Sequence, residues 1–183
     1  IDSNIDYGCS TLLNKAIQSL IASQDPAATP EDTLEKISIL IDAGADVNLA
    51  TCGLTPLATL TGIPYMARKM EKAYIEPYYI KIADILLQHG ADINKKSNEV
   101  APLHFAAQVP QNEKPILLKY FLEKGANPNI RDFQGNTPLF VANFASNREA
   151  IDLLLKFGAD PNIRNNAGIL YKDFKTGKLY TFN

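Results

Sequence analysis

Two histidines, two cysteines and a few neighbouring carboxylates are the residues of this chain whose types could do chemistry. A histidine beside a serine or cysteine can activate a nucleophile. Clustered His, Cys and carboxylate side chains can hold zinc. His89 stands in Gln88-His89-Gly90 and His104 in Pro102-Leu103-His104, on separate segments. Neither has a Cys or a carboxylate at ligand spacing on its own element. His89 reads as a helix C-terminal residue, where a cation suits the dipole. The adjacent pair Glu31-Asp32 follows Thr29-Pro30, which marks a helix cap and first turn rather than an acid/base dyad. No Gly-x-Gly-x-x-Gly or Gly-x4-Gly-Lys loop is present to cradle a phosphate. The expectation is no catalytic residue, no metal ligand and no cofactor, hence no enzyme.

Composition narrows the partners. The chain has 183 residues, 46% hydrophobic and 21% charged, the balance of a folded domain and not of a disordered one. With 18 basic and 20 acidic residues the net charge is -2. A duplex-binding protein would show a basic excess, so no nucleic-acid partner is expected. No apolar run approaches the ~18 residues of a membrane span, so no membrane partner is expected either. Cys9 and Cys52 make no disulfide framework, and no Asn-x-Ser/Thr acceptor occurs. Both facts suit a reducing, cytoplasmic setting. The first residue is Ile1 rather than Met, as in a trimmed or processed chain.

Positioning elements come from a repeat. One phrase recurs four times: Gly44-Ala45-Asp46-Val47-Asn48, Gly90-Ala91-Asp92-Ile93-Asn94, Gly125-Ala126-Asn127-Pro128-Asn129 and Gly158-Ala159-Asp160-Pro161-Asn162. An apolar helical stretch precedes each. A second phrase alternates with it: Thr11-Leu12-Leu13, Thr55-Pro56-Leu57, Ala101-Pro102-Leu103-His104 and Thr137-Pro138-Leu139. From glycine to the next threonine position the interval is 11, 11 and 12 residues. From the threonine position to the next glycine it is 33, 35, 24 and 21. A nearly fixed connector with variation confined to one arm is what stacked units with loop insertions would show.

These phrases resemble the ankyrin repeat, a turn and two helices of ~33 residues with a Thr-Pro-Leu-His-x-Ala signature. The resemblance covers roughly residues 6 to 175. It implies an all-α ankyrin-repeat solenoid of stacked helix-turn-helix units with β-turn/hairpin fingers. The expected organisation is a single domain over 1–175, with repeats at about 6–48, 49–94, 95–129 and 130–162, a capping partial repeat at 163–175 and a tail at 176–183. Stacked units of this family lie ~10 Å apart, beyond the ~7 Å Cα limit for a disulfide, so Cys9 and Cys52 are expected as free thiols. His104 occupies a structural position of the family signature.

Each phrase has a physical reason. Thr-Pro starts a helix, threonine capping free amides and proline fitting the first helical position. Thr11 lacks the proline and Ala101 lacks the hydroxyl, so both starts should be weaker. Glycine ends a helix by adopting the left-handed conformation. The closing Asn48, Asn94, Asn129 and Asn162 should bond turn backbone. The first two repeats carry insertions of 12 and 14 residues relative to the fourth. The second insertion holds Ile63, Met66 and Met70 at near-helical spacing, then Tyr74, Tyr78 and Tyr79 around Pro77. It reads either as helix packed on the body or as an aromatic ledge for a partner. After Gly168 the pattern departs, and a short capping helix is expected there.

The resemblance also implies where a partner sits: on the finger tips and the concave face of the inner helices. The inner-helix positions are Lys15, Thr59, Phe105 and Val141. The finger positions include Lys95, Lys96, Arg131, Phe133 and Arg164. Phe105 and Phe133 would be the anchors if exposed, and Arg131 with Arg164 a shallow basic row. The partner expected is another protein bound by a monomer. Alternatives are a targeting module of a larger enzyme, and a microbial effector acting on host proteins.

Overall fold

A computed structural model of the chain describes residues 11–22, 29–50, 54–66 and 72–173. Those residues form eight α-helices and one short 3-10 turn. In chain order the helices are α1 (Leu12–Ala22), α2 (Pro30–Asp42), α3 (Pro56–Met66), α4 (Lys72–Gln88), α5 (Pro102–Ala107), α6 (Ile116–Glu123), α7 (Pro138–Phe144) and α8 (Arg148–Lys156). The fold class is all-α, as expected. The chain forms two compact units, Ile1–Asn98 and Glu99–Asn183.

In the first unit α1 packs on α2 and α3, and α4 on α2 and α3. Leu13, Ile17 and Leu20 recur at the spacing of one helix face and are buried. On the two helices α1 packs against, Ile37 of α2 and Leu57 and Leu60 of α3 are buried as well. In the second unit α5 packs on α6 and α7, and α8 on α6 and α7. Its core holds Leu103, Leu118, Phe121, Leu139 and Leu154, each essentially inaccessible. Burying one such side chain contributes about 1.5–3 kcal/mol, which a six- or seven-residue helix could not obtain alone.

Helix ends follow the phrases. Gly44, Gly90, Gly125 and Gly158 all have φ between 86° and 89°. In each, the glycine N–H and the next amide reach back to carbonyls of the last helical turn, as with Gly44 to Ile41 at 2.9 Å and Ala45 to Leu40 at 3.0 Å. That is the double bond pattern that satisfies orphan carbonyls at a helix end. The closing asparagines do more than brace their own turns. Asn48 donates from its side chain to the Gly90 carbonyl at 2.8 Å and accepts from the Asp92 amide at 2.7 Å. Asn129 makes the same pair with Gly158 at 3.0 Å and Asp160 at 2.7 Å. Each asparagine therefore staples its turn to that of the next repeat.

Helix starts vary. Thr11 and Thr55 accept from the amides of Asn14 and Ala58. Thr137 makes no side-chain cap bond, contrary to expectation, although Pro138 holds the first helical position. At Ala101 the missing hydroxyl is offset by His104, whose Nδ1 accepts the Ala101 N–H at 3.3 Å. Its Nε2–H then donates to the Asn136 carbonyl at 3.0 Å. The ring is thus the tautomer protonated at Nε2 and ties α5 to the following finger. His89 donates from Nδ1 to the Ile85 carbonyl at 2.8 Å, at the end of α4.

The second insertion lengthens helices. α4 has 17 residues against 8 and 9 in α6 and α8. Pro77 lies inside it, where it removes one backbone donor. Tyr78 and Tyr79 are buried at 8% and 6% exposure, so they belong to the packed body and not to a ledge. The side chains of Ile63, Met66 and Tyr74, and all of Met70, lie outside the described residues, as do Cys9, Cys52 and the tail. At the chain's last described stretch the expected capping helix is only a 3-10 turn, Tyr171–Asp173. It lacks a Thr-Pro start and is held on α7 by the Asn143 side chain, which donates to the Tyr171 carbonyl at 2.8 Å.

Candidate functional site

The fingers are the most elaborately bonded surface of the second unit. In the finger around Phe133, the Asp132 N–H donates to the Asn136 carbonyl and the Gly135 N–H to the Asp132 carbonyl, both at 2.9 Å. The Asp132 carboxylate accepts the amides of Gln134 and Asn136. Gly135 takes φ +76°, and a Cβ there would run into the Asn166 amide and the Arg131 guanidinium. The next finger clasps this one. Asn166 donates from its backbone to Gln134 at 2.9 Å and from its side chain to the Phe133 carbonyl at 3.1 Å. Asn165 reaches the Asn136 side chain at 3.0 Å.

This lattice of bonds holds Phe133 out at 57% exposure. An aromatic ring left in water on a fixed backbone loses little further freedom when a partner covers it. Arg131 serves the scaffold. Its Nε donates to the Gly135 carbonyl, and its terminal nitrogen to the Arg164 carbonyl and the Asn166 side chain, at 3.1–3.2 Å. Arg164 donates to the Gly168 carbonyl at 2.7 Å. Both arginines are exposed, but their guanidinium groups turn to the chain and do not stand free as a basic row.

In the first unit Lys95 and Lys96 are exposed. Ser97 beside them is buried, its hydroxyl accepting the Thr55 N–H at 2.8 Å. Asn98 and Glu99 then take φ of 48° and 64°, the left-handed region where non-glycine residues are strained. Among inner-helix positions Lys15 is exposed, while Phe105 and Val141 are half-buried. Thr59 differs from these: it is buried, at 5% exposure. Its short side chain ends below the surface, whereas the four-carbon stem of Lys15 carries an ammonium beyond it.

Some exposed residues had no clear signal in the sequence. Ile39, Phe144 and Leu155 stand at 58%, 50% and 37% exposure. Asn147 is a buried hub, 1% exposed. It caps α8 by accepting the Ala150 amide and donates to the Pro110 and Glu113 carbonyls at 2.8 and 2.9 Å. Its place before Arg148-Glu149 could have marked it as a cap, but not its reach to the preceding loop.

The acidic pair is structural. The Tyr78 hydroxyl donates to Glu31 and, with the helix-start backbone, holds that carboxyl below its ordinary range. The Thr29 backbone and side chain do the same for Asp32. Thr29 and Asp32 exchange both bonds of a capping box at 2.7 and 3.2 Å. Among the described residues no cluster of His, Cys, Asp or Glu could hold a metal. No described helix is long and apolar enough to cross a membrane.

Comparison with known proteins agrees with this geometry. The family profile "Ankyrin repeats (3 copies)" matches residues 70–165. An ankyrin repeat protein of Rickettsia felis is 28% identical over 139 residues, covering 76% of this chain and 43% of that protein. One from Acanthamoeba polyphaga mimivirus is 33% identical over 169 residues, covering 72% and 38%. The human transient receptor potential cation channel subfamily A member 1 is 36% identical over 96 residues, covering 51% and 8%. The chain thus spans less than half the length of these curated relatives.

Proposed function

The chain belongs to the ankyrin-repeat family, and we propose that it is a protein-interaction scaffold acting in the cytoplasm. Ankyrin repeats generally mediate binding between proteins. In this reading the partner is gripped by the finger tips, with Phe133 as its anchor and Lys95 and Lys96 at the rim. Lys15, Phe105 and Val141 on the inner helices contribute contact area, and Arg131 and Arg164 hold the fingers in shape. The observation that carries the reading is the exposed Phe133 on a finger whose backbone is bonded on both sides. Anchors of this kind dominate interface energy.

The test is affinity capture with the purified chain, comparing it with Phe133→Ala and with a control away from the fingers, Glu123→Ala, exposed at the end of α6. A partner lost with Phe133→Ala and retained with the control supports the reading. Retention by both variants overturns the finger assignment. A second reading, an effector acting on host proteins, draws on the relatives in Rickettsia felis and mimivirus. It requires that the captured partner come from a host lysate, and capture solely from the producing cell would sink it.

A further inference from the structure

His104 is buried at 2% exposure, and Ala101, whose N–H its Nδ1 accepts, is at 0%. Its Nε2–H donates to the Asn136 carbonyl at 3.0 Å, an oxygen that also takes the Asp132 N–H at 2.9 Å. That oxygen sits at the base of the finger on which Phe133 stands, so one ring joins the start of α5 to the finger. Both bonds require the neutral ring with its hydrogen on Nε2. An imidazolium carries a hydrogen on each nitrogen, and whichever way it turns, one of them faces the Ala101 N–H. Two donors and a charge would then share a site closed to water, at the cost of a bond and of desolvation. The first repeat makes the same link with a group that does not titrate. Asn14, at the place of His104 in its phrase, donates from its side chain to the Leu54 carbonyl at 3.1 Å. Leu54 precedes Thr55 as Asn136 precedes Thr137. Packing is served by either residue, and histidine adds a response to pH.

We propose that His104 is an acid-sensitive latch for the Phe133 finger: a proton at Nδ1 unseats the ring, and the finger loses its hold on α5. The regulation of binding rests on the finger reading, whereas the latch itself does not. α5 packs on α6 and α7. α5 and α7 hold no other titratable side chain. On α6, Lys119 and Glu123 are exposed and lie 3.9 Å apart, and Tyr120 is buried. Glu99, ahead of α5, is exposed. In the finger, Arg131 donates to the Gly135 carbonyl, and the Asp132 carboxylate accepts the amides of Gln134 and Asn136. The latch stabilises the fold fully above the ordinary imidazole value of about 6.5. That contribution is lost as pH falls below it, because the unfolded chain binds a proton that the seated ring excludes.

Urea titration of the intact chain at pH 7.5 and 5.5 tests the latch, in a window above the carboxyl range of about 4. The unfolding constant should rise about tenfold on acidification. His89→Gln should leave that rise intact, since the His89 bond from Nδ1 to the Ile85 carbonyl survives protonation. His104→Asn, which copies Asn14, should reduce it to about twofold or less. The Phe133 ring signals in NMR should broaden at pH 5.5 in the parent and not in His104→Asn. A parent without the rise, a rise that survives His104→Asn, or Phe133 signals indifferent to pH overturns the proposal. If His104→Asn does not fold, ring-nitrogen NMR of the parent decides. His104 must carry its hydrogen on Nε2 at pH 7.5 and gain the second in step with the change at Phe133, and a ring that charges while Phe133 is unmoved overturns the latch. Phe133-dependent capture of a partner should weaken from pH 7.5 to 5.5, and equal capture at both overturns the regulation. Absence of Phe133-dependent capture at pH 7.5 sinks the finger reading and the regulation with it, while the urea titration still decides the latch.

Discussion

Replacing Asn147 separates two roles that a helix-cap residue normally confounds. Its side-chain oxygen accepts the Ala150 amide, while its side-chain nitrogen donates to the carbonyls of Pro110 and Glu113. Losing the cap costs about 1 kcal/mol. Losing each of the two donated bonds costs about 1 kcal/mol more. Asn147→Ala should therefore destabilise the chain by about 3 kcal/mol, lowering the thermal midpoint by about 6–12 °C for a chain of this size. Asn147→Asp is the discriminating variant. Aspartate caps a helix as well as asparagine and gains from the dipole, so a capping role alone predicts little loss. The structure predicts the opposite: a carboxylate oxygen would face two carbonyl oxygens, and the loss should equal or exceed that of alanine. Urea titration followed by far-ultraviolet circular dichroism measures both variants against the parent. An Asn147→Asp chain within about 0.5 kcal/mol of the parent, the usual effect of a neutral substitution, would refute the reasoning.

Three further outcomes follow from the backbone and the caps. Glu99→Gly removes a left-handed non-glycine residue, relieving about 1–2 kcal/mol while increasing unfolded-state freedom by about 0.4–1. Calorimetry should show a small net stabilisation, and a loss of stability would count against strain at Glu99. Gly135→Ala should destabilise by more than that, since both φ and the Asn166 and Arg131 groups oppose a methyl. Phe133 should then lose its fixed position, seen as line broadening of its ring signals in NMR. The depressed carboxyls of Glu31 and Asp32 stabilise the folded state above their unfolded values of about 4. That contribution is complete at neutral pH and is lost as pH falls through and below this value. Asp32→Asn should flatten the acid limb of a stability-against-pH curve measured by urea titration, and an unchanged limb would argue against the capping box as its source.

Much of the fold was legible because the repeat writes its own punctuation. Glycine tolerates a left-handed φ that other residues resist, so Gly44, Gly90, Gly125 and Gly158 announce helix ends without any tertiary information. Thr29-Pro30 with Asp32 likewise announces a helix start from local chemistry alone. The finger residues were named as candidates from their place in the phrase, and Phe133 stands exposed. Exposure was not legible, because it depends on what packs beside a residue: the same phrase position holds an exposed Lys15 and a buried Thr59.

What the sequence determined by itself is therefore the set of local choices: where helices start, where they stop, and which positions repeat. Only the tertiary structure decided which groups from different repeats meet. Asn48 could be read as a turn residue, but its bond to Gly90 spans 42 positions. Arg131 could be read as a free cation, but one of its terminal nitrogens donates to the neighbouring finger. Tyr78 and Tyr79 could be read as a ledge, but the lengthened α4 turns them inward. Local conformation is set by each residue's own sterics and nearest amides, whereas pairing across repeats is set by which surfaces stacking brings within bonding distance.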